Sequence, residues 1–152
     1  MSDLTLSGPT LIYDLINAAN VGLPNGPLSP TNTTLGVPAA NITDASGNNT
    51  QVAITAISNQ GYTGSKVVTY NRIDIGAMFT GWGMAATVAN GATYVNASDF
   101  LPSLNAAYHL DLQATDIIDG PINAVSYPDA YTLNIAASSL TYIGTLAVSI
   151  TA

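Results

Sequence analysis

Apolar and polar side chains alternate along two long stretches of this chain, and each stretch doubles back on itself. Val52, Ile54 and Ala56 alternate with Gln51, Ala53 and Thr55, the period of a half-buried strand. On the return, Val68 and Tyr70 take one face, and Thr69 and Asn71 the other. Residues 133–150 repeat the arrangement, with Leu146, Val148 and Ile150 opposed by Ala147, Ser149 and Thr151. Tyr62-Thr63-Gly64-Ser65 matches Tyr142-Ile143-Gly144-Thr145 at an offset of 80. In the preceding strand Val52, Ile54, Ala56 and Ser58 match Leu133, Ile135, Ala137 and Ser139 at an offset of 81, so the loops are predicted to differ by one residue. A glycine follows each tyrosine by two residues. Glycine takes φ > 0 without a Cβ clash, which suits a longer hairpin turn. The tyrosine is predicted to pack beneath its loop.

A different period precedes each hairpin. Leu11, Ile12, Leu15, Ile16 and Ala19 recur at helical spacing after Ser7 and Pro9, a cap and a first-turn proline. The helix is predicted to stop near Asn20-Val21-Gly22, ahead of Pro24. A second helix carries Leu101, Leu104 and Tyr108. Pro102 belongs in a first turn, which makes Ser98 or Asp99 the predicted cap. Asn105-Ala106-Ala107 repeats Asn17-Ala18-Ala19 at an offset of 88. The order helix, long connection, hairpin is thus predicted twice. The expected fold is α+β, mainly β: two related hairpins forming antiparallel sheet, covered by two short helices. It reads as a single domain, 1–152, built from two pseudo-repeats at about 4–75 and 96–151. Residues 24–50 form a long connection with one short strand, residues 34–37. Trp82 stands between Gly81 and Gly83 and is predicted on a loop, as an interface anchor or as a cover for the core.

Charge changes this picture. Charged residues make up 7% of the 152 residues, against a typical ~25%. Lys66 and Arg72 are the only cations, and the net charge is −7. Two cations cannot neutralise a nucleic-acid backbone or dock on anionic lipid. With 47% hydrophobic residues the chain does not read as disordered. A freely diffusing monomer usually keeps a charged, mixed surface, so this composition points to a subunit covered by neighbours. There is no cysteine, hence no disulfide or thiolate metal site. No transmembrane run and no secretion signal are predicted.

Candidate chemistry is sparse. His109, the single histidine, falls at the expected end of the second helix, where a partial positive charge is favourable. Asp111, Asp116 and Asp119 cluster in sequence, but their spacing matches no metal or acid/base site, and capping or turn formation is the commoner role. Asp44-Ala45-Ser46-Gly47-Asn48-Asn49 fails the calcium-loop test at its sixth and twelfth positions. Arg72 and Asp74 lie on one face if the strand continues, as an ion pair or with Arg72 as anchor for a neighbouring chain. No catalytic, cofactor or metal residues are assigned, and no enzymatic activity is expected. The candidate interface residues are Tyr62, Gly64, Arg72, Trp82, Tyr142 and Gly144.

Several segments together bear a likeness. They are Gly61-Tyr62-Thr63-Gly64-Ser65, Tyr70-Asn71-Arg72-Ile73-Asp74, Phe100-Leu101-Pro102-Ser103-Leu104-Asn105-Ala106-Ala107-Tyr108 and Asp116-Ile117-Ile118-Asp119-Gly120-Pro121-Ile122. With the short Leu-rich first helix, this pattern resembles a group of small tailed-bacteriophage virion proteins over residues 4–150. The resemblance implies a non-enzymatic structural component of the particle, assembled in the host cytoplasm: a capsid decoration or cement subunit contacting the major capsid protein. Its alternatives are a tail or baseplate component. A receptor- or glycan-binding module is the reading from another class, with Tyr62, Trp82, Tyr94, Tyr127 and Tyr131 as stacking platforms.

Overall fold

The computed structural model describes residues 4–42, 45–124 and 126–152. It divides into two compact units, Gly8–Arg72 and Ile73–Ala152, the latter joined by residues 4–7. The fold is α+β.

In the first unit, helix α1 (Gly8–Ala19) precedes strands β1 (Thr33–Leu35), β2 (Ala39–Ala40), β3 (Thr50–Ala56) and β4 (Ser65–Tyr70). The hairpin β3–β4 is antiparallel, with Val52 opposite Val68 and Thr50 opposite Tyr70. β1 and β2 both pair with the other edge of β3. Leu35 faces Ile54 but Ala39 faces Gln51, so three residues, 36–38, span two on β3. That is a β-bulge. The predicted strand at residues 34–37 is therefore Thr33–Leu35, followed by this interruption. Ile12, Tyr13 and Ile16 of α1 are buried with Val52, Ile54 and Tyr70. The helix stripe is narrower than predicted: Leu15 is 53% exposed, and Ala19 is exposed too. Tyr13, missed as a core residue, donates its hydroxyl to Thr33 O at 3.0 Å.

The second unit contains β5 (Ile73–Asp74), α2 (Ile75–Trp82), β6 (Ala86–Val88), α3 (Ala97–Tyr108), β7 (Asp129–Asn134), β8 (Tyr142–Ile143) and β9 (Thr145–Ile150). β9 is the central strand, antiparallel to β7 and parallel to β6. β5 and β8 form a short parallel pair. Phe100, Leu104, Leu133, Ile150 and Ile75 lie at 0% exposure in its core.

The two hairpins are related, with a correction to their alignment. Ala56 N donates to Gly64 O at 2.9 Å and Ile135 N to Gly144 O at 3.1 Å, so Ala56 corresponds to Ile135. The first-strand offset is 79, not 81, and the longer loop belongs to the second hairpin. The slip is two residues, which preserves which side chains face the core, so alternation alone could not detect it. The weaker repeat also has a physical basis. Asn17 receives Leu28 N at 2.8 Å and donates to Leu28 O at 2.8 Å. Asn105 does the same to Leu112, at 3.0 and 2.9 Å. Each asparagine ties the chain leaving its helix back onto the helix.

Two expectations about helices are corrected. Trp82 is the last residue of α2 rather than part of a loop. Burial of Ile75 and Phe79, the Asp74 cap and a left-handed Gly83 at the helix end outweigh the glycine content. Pro102 is the sixth residue of α3, not in its first turn, and Asn96 is the N-cap. Pro102 is exposed, and Ser98 next to the start is only partly buried, so the carbonyl that loses its N–H partner can meet solvent. The start is fixed by Asp99, whose Oδ2 accepts from the N–H groups of Val95 and Asn96, each at 2.8 Å.

Those two backbone donors, Asn96 first and then Val95, hold the Asp99 carboxyl below its ordinary pKa. A depressed folded-state pKa adds stability that is present above the unfolded value and lost as pH falls through the folded one. Asp99→Asn should therefore be less stable than the parent at about pH 7, and the gap should close at about pH 2. Paired urea melts at the two pH values check this.

Candidate interaction surfaces

Hairpin geometry separates the two tyrosine–glycine loops. Gly64 has φ 82° and Gly144 φ 87°, both left-handed. A Cβ on Gly64 would meet nothing within 4 Å, whereas one on Gly144 would lie 3.0 Å from Asp74 Oδ1. The first loop is open, and the second is packed onto the cap of α2. Tyr62 is half-buried and donates its hydroxyl to Gly26 O. Tyr142 is 1% exposed. As a contact residue for a neighbour Tyr142 is thus corrected: it pins its loop from beneath. Its hydroxyl has no hydrogen-bond partner among the described residues. Burial, with Asp116 and Asp111 adding repulsion, pushes its pKa up to about 12. Tyr142→Phe removes no hydrogen bond to the described residues and should change stability by less than about 1 kcal/mol. Tyr13→Phe, which breaks the bond to Thr33, should cost about 1 kcal/mol. Thermal melts of both variants test the contrast.

Arg72 and Asp74 take different partners. Arg72 Nε donates to Thr50 Oγ1 at 2.9 Å, and Asn49 grips the Arg72 backbone through its N–H and C=O, each at 2.9 Å. Burial lowers the Arg72 pKa, with the neighbouring Tyr70 acting against it. Burial likewise pushes Tyr70 up to about 12. Asp74 Oδ1 accepts from Ala77 N at 2.9 Å as the cap of α2.

The second aspartate group is taken up in turns. Asp116 accepts from Gln113 N at 3.0 Å, Asp111 from Gln113 Nε2 at 2.6 Å, and Asp119 from Ser98 N and Oγ at 2.9 and 2.8 Å. His109 is the left-handed C-cap of α3. Asp44 lies outside the described residues. Among the described residues no cluster of three His, Cys, Asp or Glu can hold a metal ion. No helix among them is long and apolar enough to cross a membrane.

Aromatic rings are largely committed to packing. Phe100 sits edge-on to Tyr94 at 6.1 Å and to Tyr131 at 5.7 Å. Burial first, and Asp119 second, raise the Tyr131 pKa. Trp82 is the exception. It lies 5.4 Å from Phe79, yet is 46% exposed beside an exposed Met84. It packs against the buried Phe79 and stays partly open to solvent.

A concavity lies within residues 8–72. It is a groove of about 630 Å³ between α1 and β4, lined by Ile12, Leu15, Ile16, Lys66 and Val68 among others. Sequence reading found Tyr62 and Gly64 at its end but missed the groove. Its signal was the exposed flank of α1, where Leu15 and Ala19 continue the apolar stripe.

The chain belongs to DUF7941, a family of unknown function. The match spans residues 1–152. Neither the curated proteins nor the solved structures contain a significant match to it.

Proposed function

We propose that this chain is a non-enzymatic structural subunit of a bacteriophage particle, a capsid decoration protein that stabilises the shell by burying surface between neighbouring subunits. The observation that carries this reading is an almost uncharged surface that still shows large apolar side chains. Val21, Val37, Ile42, Val95 and Ile118 are all at least 60% exposed, while only 7% of the chain is charged. Such a surface is poorly suited to free solution and well suited to close packing with other subunits. Many weak contacts repeated over a shell add through multivalency rather than through one strong site. The partner is the major capsid protein or another virion subunit.

Cryo-electron microscopy of purified particles, with this chain traced in the map, tests the proposal. A repeating position on the capsid shell is the expected result. A tail or baseplate position would keep the structural class and remove the decoration role. Absence from the particle would overturn the proposal.

A further inference from the structure

β4 is an edge strand with a groove beside it. Among the described residues it pairs with β3 alone. The bond from Ala56 N to Gly64 O sets the phase of the ladder. In an antiparallel pair, alternate residues direct both backbone groups to the same neighbour. Gly64, Lys66, Val68 and Tyr70 therefore point their backbone toward β3. Ser65, Val67 and Thr69 point theirs outward, toward the position a further strand would take. Side chains of a strand placed there, on the α1 side, would enter the groove between α1 and β4 and meet Leu15, which is 53% exposed.

Charge selects the occupant. Among the described residues, Lys66 is the only charged one lining the groove. Residues 8–72 hold both cations of the chain and two of its nine aspartates, Asp14 and Asp44, whereas residues 73–152 hold six aspartates and no cation. Asp14 is exposed on α1 and does not line the groove. Pairing of β4 with β4 of a second copy would set two Lys66 side chains at the joint, and β4 itself carries no acid to meet them. A foreign acidic strand supplies that acid.

We infer that β4 accepts an extended segment of another protein as an added antiparallel or parallel strand, one that alternates apolar and polar side chains and sets a carboxylate against Lys66. β4 has 6 residues, so the added segment runs for about 20 Å at the usual strand rise. Backbone bonds to Ser65, Val67 and Thr69 give affinity, and the groove and Lys66 give selectivity, as in other strand-addition complexes. This inference deepens the assembly reading by naming the chemistry of the partner, and it rests on that reading for its biological setting only.

The test uses the full chain and a fluorescent synthetic peptide of alternating valine and threonine carrying one aspartate. Saturable binding is expected by fluorescence anisotropy. Val67→Pro removes an outward N–H without touching the β3 ladder, a change edge strands tolerate. It should weaken binding at least about tenfold, with the circular dichroism and melting of the parent retained. Leu15→Asp, an exposed site that should fold normally, should weaken it as well. Lys66→Glu should lose the aspartate peptide and gain its lysine counterpart.

Absence of saturable binding, or equal binding by Val67→Pro and Leu15→Asp, overturns the inference. Self-association of the chain that is abolished by Val67→Pro would also overturn it, by placing a second copy at the edge. A chain found on the capsid that fails to bind the peptide loses this inference and keeps the assembly role. A chain that binds the peptide but is absent from particles does the reverse.

Discussion

Phe100→Ala should be the most damaging single substitution in residues 73–152, costing about 3–5 kcal/mol, the range for deleting a buried aromatic ring. Phe100 is 0% exposed on α3, and its ring is flanked edge-on by Tyr94 and Tyr131. Neither neighbour can move in to fill the space without losing its own anchor. Tyr94 is held by its hydroxyl to Ala89 O at 2.6 Å, and Tyr131 by its hydroxyl to Gly120 O at 3.3 Å. The void therefore stays largely open, which places the loss toward the top of the range. Set against a typical total of about 5–15 kcal/mol, that is a large share of stability. Urea denaturation should show the midpoint falling with an unchanged slope. A loss below about 1 kcal/mol would mean that the aromatic trio is not packed as described.

Gly76→Ala is expected to follow closely, by the opposite mechanism. A Cβ at Gly76 would lie 2.4 Å from Thr145 O, where ordinary contact begins at 3.4 Å. The obstructing atom is backbone in β9, so no side-chain rotation relieves it, and α2 must move off the sheet. Overpacking of this kind costs about 1–3 kcal/mol and occasionally more. Gly81, five residues further along the same helix, supplies the control. A Cβ there would meet nothing within 4 Å. Gly81→Ala should stabilise the protein by about 0.5–1 kcal/mol through helix propensity alone. Thermal melts of the pair should move in opposite directions. Equal shifts would remove close helix–sheet approach as the reason for Gly76.

Much of this architecture was legible where local chemistry and burial agree. The β3–β4 alternation, the left-handed glycines at 64 and 144, and the first helix all follow from periodicity and turn preference. The failures have specific causes. α2 is short and glycine-rich, so propensity hid a helix that is stabilised by burying Ile75 and Phe79 and by the Asp74 cap. The parallel pairings β5–β8 and β6–β9 join residues far apart in sequence and leave no local signature. The hairpin misalignment persisted because a two-residue slip keeps parity. Of the candidate interface, Gly64 and the exposed part of Trp82 were readable as surface. Tyr142 was not distinguishable from Tyr62, because equivalent loops can rest on quite different depths of core. The α1–β4 groove depends on how far a helix overhangs its sheet, which side-chain periodicity does not encode.

The bulge at residues 36–38 has a consequence for how the first unit can grow. It breaks the line of β1 and β2 along one border of the sheet, with Val37 thrown outward at 75% exposure. An irregular border is a poor template for another strand, whereas β4 on the opposite side pairs with β3 without interruption. Strand addition as proposed would therefore be one-ended: the sheet of the first unit would take on a single guest and then terminate, without seeding an endless fibre.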